Sequence, residues 1–246
     1  MKIDQVTSST VAQLWATVEP RVRQARCLEG AAQALATALY LTFQDSVVLA
    51  RVFVTVSFGE LPAATAKFVR SLAGSAEARS ALNATTPVLS LIGTHGEEEE
   101  WNDRRKSKGH AGIPLISSSF VEGIPMISRL LKELGVPLDW VDSRESEMII
   151  NTIGNVAGLF FVDRAATATD PLGRKIITTQ DFVASHGVGS VFGTGGAYSR
   201  GDIVIIVVFC NDVVSRSVAE SFVTLANLFV SNTTSLVAAK RIFASA

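Results

Sequence analysis

The run Glu97-Glu98-Glu99-Glu100-Trp101-Asn102-Asp103-Arg104-Arg105-Lys106-Ser107-Lys108-Gly109-His110 is the most unusual in the chain, an acidic block followed at once by a basic one. Arg104 and Arg105 carry planar forks of donors that match a carboxylate or a phosphate. Trp101 offers a flat face for stacking on a ring. The run leads into Gly112-Ile113-Pro114-Leu115, which reads as a strand, so Trp101, Arg104, Arg105 and His110 are positioned to close over a pocket. The alternative is a solvated loop whose opposite charges neutralise each other. Asp163, Arg164, Asp170, Arg174 and Lys175 flank a second loop near Asp181 and suit either a polar ligand or an ordinary charged surface. The candidate ligand-binding set is Trp101, Arg104, Arg105, His110 and Asp181.

Other chemistries lack their spacing. His95, His110 and His186 form no H-x-x-x-H pair, and no carboxylates cluster as metal ligands. Cys27 and Cys210 make no C-x-x-C pair, which speaks against a thiolate zinc site or a disulfide framework. Cys210 ends an apolar strand and reads as packing. Cys27 follows Arg21, Arg23 and Arg26, cations that favour a thiolate. No G-x-S-x-G elbow is present, and Gly187–Gly193 fails the spacing. Gly193-Thr194-Gly195-Gly196 does not open a helix, as a phosphate-binding loop must, and reads as the connection of a hairpin. A non-enzymatic role is expected.

The elements that must position these residues follow from periodicity. Thr7–Thr10 offers cap chemistry before Val11, Leu14, Trp15 and Val18, a helical stripe that Pro20 is expected to interrupt. A longer helix is expected from about Arg23 to Phe43. Val47–Ser57, Pro87–Gly93, Gly112–Ser117, Gly158–Val162, Val188–Gly193 and Ile203–Cys210 read as strands, the last two as an antiparallel hairpin. Helices are expected at Ala63–Leu72, from Ser117 to Leu134 with Pro125 kinking it or limiting its first part, weakly at Glu145–Gly154, and around Asp181–Ser185. From Ser215 a long helix sets Val218, Phe222, Leu225, Phe229 and Leu236 in a heptad-like stripe, for packing on the sheet or for dimerisation.

The chain has 246 residues, 48% hydrophobic and 18% charged, and a mean hydropathy of +0.32. It is long enough for a substantial core, and this composition excludes general disorder. With 22 Lys and Arg against 23 Asp and Glu, no basic excess points to nucleic acid. Ile203–Cys210 is too short to span a bilayer as a helix. The N-terminus lacks the apolar core of a signal peptide. A cytoplasmic protein without a membrane partner is expected. The fold class is α+β: a central antiparallel sheet, helices on one face, and long N- and C-terminal helices. The expected organisation is a helical extension over 1–29 and one domain over 30–240.

A family resemblance is carried by Trp101-Asn102-Asp103-Arg104, by His110 with Ile113-Pro114-Leu115, by Phe120-Val121-Glu122-Gly123-Ile124-Pro125, by Gln180-Asp181-Phe182-Val183, by Ser190-Val191-Phe192-Gly193 and by Gly201-Asp202. In these strings, over roughly residues 30–238, the chain resembles the GAF-like sensory domains of bacterial multi-sensor histidine kinases. The resemblance implies a cavity on the sheet face opposite the helices, and sensing or dimer signalling rather than turnover. Members of the wider family bind cyclic nucleotides, haem, tetrapyrroles or amino acids. The chain lacks the Asn-Lys-x-x-x-Phe-x-x-x-Asp-Glu string associated with cyclic nucleotides, and no cofactor is assigned. The expected function is a non-catalytic sensor or regulatory domain that binds a small molecule and signals through a homodimer or a partner, including a separately encoded histidine kinase. The alternatives are a dimerisation module without a ligand and, behind it, a thiol-dependent enzyme.

Overall fold

The computed structural model describes residues 1–107, 109–143 and 158–244. In chain order the elements are α1 (Ser8–Gln24), α2 (Leu28–Thr42), β1 (Val47–Ser57), α3 (Ala63–Leu72), α4 (Ala76–Ala81), β2 (Pro87–Gly96), β3 (Gly112–Pro114), α5 (Ser118–Glu122), α6 (Pro125–Glu133), α7 (Asp139–Ser143), β4 (Leu159–Val162), α8 (Gln180–Ser185), β5 (Ser190–Ala197), β6 (Ile203–Cys210), α9 (Arg216–Glu220) and α10 (Val223–Ala238). The weak helix expected at Glu145–Gly154 lies outside the described residues.

The six strands form one sheet in the order β3-β2-β1-β6-β5-β4, with every neighbouring pair antiparallel. This is the α+β class with a central antiparallel sheet. Alternation along a strand sends successive side chains to opposite faces. In β1, Ala50, Val52, Val54 and Val56 join one core, and Leu49 and Phe53 join the other. The first core lies under the long helices: α2 covers β1 and β2, α10 covers β5, and α1 packs across α2 and α10. The second core lies under α5 to α8 and their loops. Long helices therefore occupy one face, as expected, and short helices with irregular segments cover the other.

Three local expectations are corrected. Pro20 lies inside α1 rather than ending it. A Thr7–Thr10 capping box starts that helix, and five buried residues (Val11, Leu14, Trp15, Val18 and Val22) hold it to the core. The helix expected from about Arg23 to Phe43 begins only at Leu28, because α1 runs on to Gln24 and the chain turns at 25–27. Pro125 limits the first part of the helix through 117–134, as its type implies, and starts a new one, giving α5 and α6. Gly193–Gly196 lies within β5 rather than in the hairpin connection. A Cβ at Gly196 would stand 3.2 Å from the Ala226 backbone, so glycine there lets α10 approach the strand closely.

Phe222, Leu225, Phe229 and Leu236 of the heptad-like stripe are buried in the first core. By length and composition Arg216–Ala238 is apolar enough to cross a membrane. Here 39% of its most apolar stretch is buried inside the fold, against the sheet and the helices beside it. The boundary expected at 29/30 falls within the first turn of α2, and α1 shares one core with the sheet.

Candidate functional site

A cavity of about 250 Å³ lies between the second face of the sheet and the segments that cover it. Its floor is formed by alternate residues of two central strands, Leu49, Arg51 and Phe53 of β1 and Ile205, Val207 and Phe209 of β6. Ile124, Met126, Ile127 and Leu130 close one side, and Ile177, Thr178, Thr179 and Phe182 form another part of the wall. Trp101 and the Gly109–His110 peptide come from the loop after β2. No Asp or Glu is among the described residues that line it.

Trp101 is set by the short turn that follows β2. The Asn102 side-chain oxygen accepts from the Gly96 N–H at 3.0 Å. A Cβ at Gly96 would lie 2.7 Å from the indole, so glycine there allows the ring to lie close over the strand. Trp101 then meets Phe182 edge-on at 5.6 Å, and Phe182 meets Phe209 at 5.5 Å. His186 packs on Trp101 at 4.8 Å, and its Nδ1 lies 3.2 Å from a Glu97 carboxylate oxygen. This aromatic wall gives a flat ligand surfaces for stacking.

Arg51 is the exception on the floor. Its neighbours across the sheet are Thr94 and Val207, and only 9% of the residue is exposed. One guanidinium nitrogen donates to the Ser107 hydroxyl at 3.3 Å. Its Nε is buried without a hydrogen-bond partner, and among the described residues no carboxylate pairs with it. Burial pulls its pKa down to about 10, which leaves it cationic at neutral pH. The Ser107 hydroxyl donates to the Gly109 carbonyl at 2.9 Å, linking Arg51 to the loop that carries His110.

His110 is exposed at the mouth and has a φ of +56°, a left-handed conformation that is uncommon outside glycine. Desolvation, and then the Arg51 charge, hold its imidazole below the ordinary range.

The candidate residues separate in space. Trp101 and His110 line the cavity. Arg104 and Arg105 instead take the two oxygens of Glu29 in α2, each at 2.9 Å. Glu29 also accepts from the Ala244 N–H at 3.0 Å, and the Arg104 guanidinium lies 4.9 Å from the Phe243 ring centroid. Asp181 lies in α8, outside the lining residues. In the second loop, Arg174 pairs with Asp170 at 2.7 Å. Sequence reasoning passed over Arg51, and the signal that marks it is a lone charge amid the apolar run Val47–Val56. Cys27 and Cys210 do not line the cavity, and burial pushes the Cys210 thiol up. Among the described residues no group of three or more potential ligands is arranged for a metal ion.

No family model and no curated protein matches the chain. Several solved structures are similar to it in part. One is a bacteriophytochrome from the photosynthetic bacterium R. palustris, 10% identical with a TM-score of 0.46, the match covering 94% of this chain and 39% of that one. Another is the chromophore-binding domain of an unusual bacteriophytochrome from R. palustris, with the same identity and TM-score, covering 94% of this chain and 63% of that one. A third is the phycoerythrobilin-bound GAF domain from a cyanobacterial phytochrome, 9% identical with a TM-score of 0.46, covering 96% of this chain and 99% of that one. The chain thus spans less than two thirds of either bacteriophytochrome structure.

Proposed function

We propose that this chain is a non-catalytic sensory or regulatory domain that binds a small organic molecule between the sheet and the covering loops. The observation that carries the reading is the cavity itself: an apolar and aromatic lining with a few convergent polar groups, the usual make-up of a small-molecule site. Its 250 Å³ lies below the ~300–1,000 Å³ typical of pockets for drug-sized ligands, which favours a compact occupant. Neither cysteine is on its wall to tether a chromophore.

The binding groups in this reading are Arg51, Trp101, His110 and Phe182. The loop that carries Trp101 also carries Arg104 and Arg105, which hold α2 and the C-terminal segment through Glu29. A ligand that shifts Trp101 would thereby bias the packing of α2 and the chain's last residues, by as much as its affinities for the two packings differ. Output through a second copy of the chain or a separate kinase belongs to the same proposal, and native mass spectrometry of the purified chain reports the first.

The test is a thermal-shift screen of small aromatic and aliphatic compounds. Compounds that raise the Tm of the wild-type chain are expected to lose most of that shift in Trp101→Ala. Shifts retained in Trp101→Ala, His110→Ala and Phe182→Ala alike would remove the cavity as the site.

A further inference from the structure

The cavity pairs an apolar body with one buried, unneutralised cation. Arg51 stands where strand alternation otherwise sets leucine, phenylalanine, isoleucine or valine, with Leu49 and Phe53 on its own strand and Ile205 and Val207 across from it. Among the described residues its one hydrogen-bond partner is the neutral Ser107 hydroxyl at 3.3 Å, and its Nε is buried with none. A buried guanidinium without a counter-charge is costly, and buried charges are ordinarily paired. Elsewhere the fold observes that rule. Arg104, equally buried and with its own Nε likewise unpartnered, has the Glu29 carboxylate at 2.9 Å, so what sets Arg51 apart is the missing counter-charge.

We propose that the occupant is a small monocarboxylate with an aromatic or branched apolar body, its carboxylate paired with the Arg51 guanidinium and its body held against Trp101, Phe182 and Phe209. The proposal rests on the cavity's being a ligand site and adds the charge and shape of what fills it. A carboxylate matches the flat two-donor edge of a guanidinium. The charge count favours one negative charge over two, because among the described lining residues Arg51 is the one fixed cation. His110 is the other basic group there, and desolvation, then the Arg51 charge, disfavours its protonation. The remaining polar lining, Thr178 and Thr179, supplies hydroxyls that are neutral. The backbone agrees: a left-handed His110 beside an unpaired arginine is the local strain that tends to persist at ligand clamps.

The experiment measures calorimetric binding of three acids, benzoate, phenylacetate and hexanoate, to the full chain, each beside its neutral amide. At least one acid is expected to bind tenfold or more tightly than its amide. In Arg51→Met that acid loses at least tenfold in affinity while the amide changes little. Arg51→Lys, which keeps the charge without the fork, falls between. The ligand-free Arg51→Met chain is expected to melt above the wild type, since the variant removes a buried charge that has no counter-charge. If the amides bind as well as the acids, the cavity is a ligand site and the anion assignment is overturned. If no acid binds the wild type, the proposal is overturned whatever the amides do. If neither acids nor amides bind and Arg51→Met melts lower, Arg51 is structural and the cavity reading falls with the proposal.

Discussion

Arg104 and Glu29 form an ion pair of 2.9 Å with both side chains less than one tenth exposed, and it ties the loop after β2 to the first turn of α2. The same carboxylate takes Arg105 and the Ala244 N–H, so loop, helix and C-terminal segment meet at one residue. The Leu28 and Glu29 amides, left free by the start of a helix, donate to the Arg241 and Ile242 carbonyls at 2.8 Å.

Removing Glu29 strands the buried Arg104 charge. Glu29→Ala is expected to cost about 3–5 kcal/mol in urea unfolding, and Arg104→Ala, which leaves Glu29 with Arg105 and the Ala244 N–H, about 1.5–3 kcal/mol. Arg105 is more than half exposed, so Arg105→Ala is expected to cost under ~1 kcal/mol. Equal losses at Arg104 and Arg105 would contradict this picture of a buried member and an exposed one. The double variant Arg104→Met with Glu29→Leu, which leaves no charge unpaired, is expected to recover most of the loss.

His110 should give the chain a pH dependence of definite sign. Its folded-state pKa is depressed below the ordinary 6.5, first by desolvation and then by Arg51. Below about pH 6.5 the unfolded chain therefore binds more protons than the folded one, and stability falls as pH drops through that window. The contribution is fully present above it. Replacing His110 by Gln is expected to flatten this part of the profile. In an NMR titration, the His110 resonance is expected to move to higher pKa in Arg51→Met. An unmoved midpoint would separate the two residues electrostatically.

Gly93 and Gly30 make opposite predictions across one helix–strand contact. A Cβ at Gly93 in β2 would stand 2.4 Å from the Ala32 carbonyl carbon, so α2 itself would have to move. Gly93→Ala is expected to cost about 3 kcal/mol, at the upper end for overpacking. At Gly30, inside α2, a Cβ meets only Ala25 and Cys27 atoms at 3.8 Å. Gly30→Ala is expected to stabilise the fold by about 0.5–1 kcal/mol, since glycine is a poor helix former. Denaturant titration of the two variants gives both signs.

The frame was legible in the sequence because it rests on strong local signals. Val47–Ser57 and Ala63–Leu72 have the bounds that their apolar patterns and Pro62 imply. The α+β class followed from the order of such elements. Glycine signals were ambiguous, because Gly193–Gly196 has the composition of a turn and the role of a strand under a close helix. At the site, Trp101 and His110 were visible as unusual residues beside a strand. The partners of Arg104 and Arg105 were not visible, since Glu29 lies 75 residues away from Arg104 and only the folded sheet brings them together. Arg51 was hidden by the apolar run around it, although a charge inside such a run is itself the signal.

Pro20 yields the last prediction. It sits in the thirteenth position of a seventeen-residue helix, on the exposed side, where it has no N–H to give to the preceding turn. Alanine restores that bond and removes the ring's clash, worth up to ~3 kcal/mol in a regular helix. Against this, proline narrows the unfolded chain, an advantage of ~0.4–1 kcal/mol that alanine forfeits. The net expectation for Pro20→Ala is a gain of about 1–2 kcal/mol, read as a higher urea midpoint at unchanged slope. A loss instead would mean that a bend at Pro20 is needed to lay Trp15 and Val22, both buried, onto the same core.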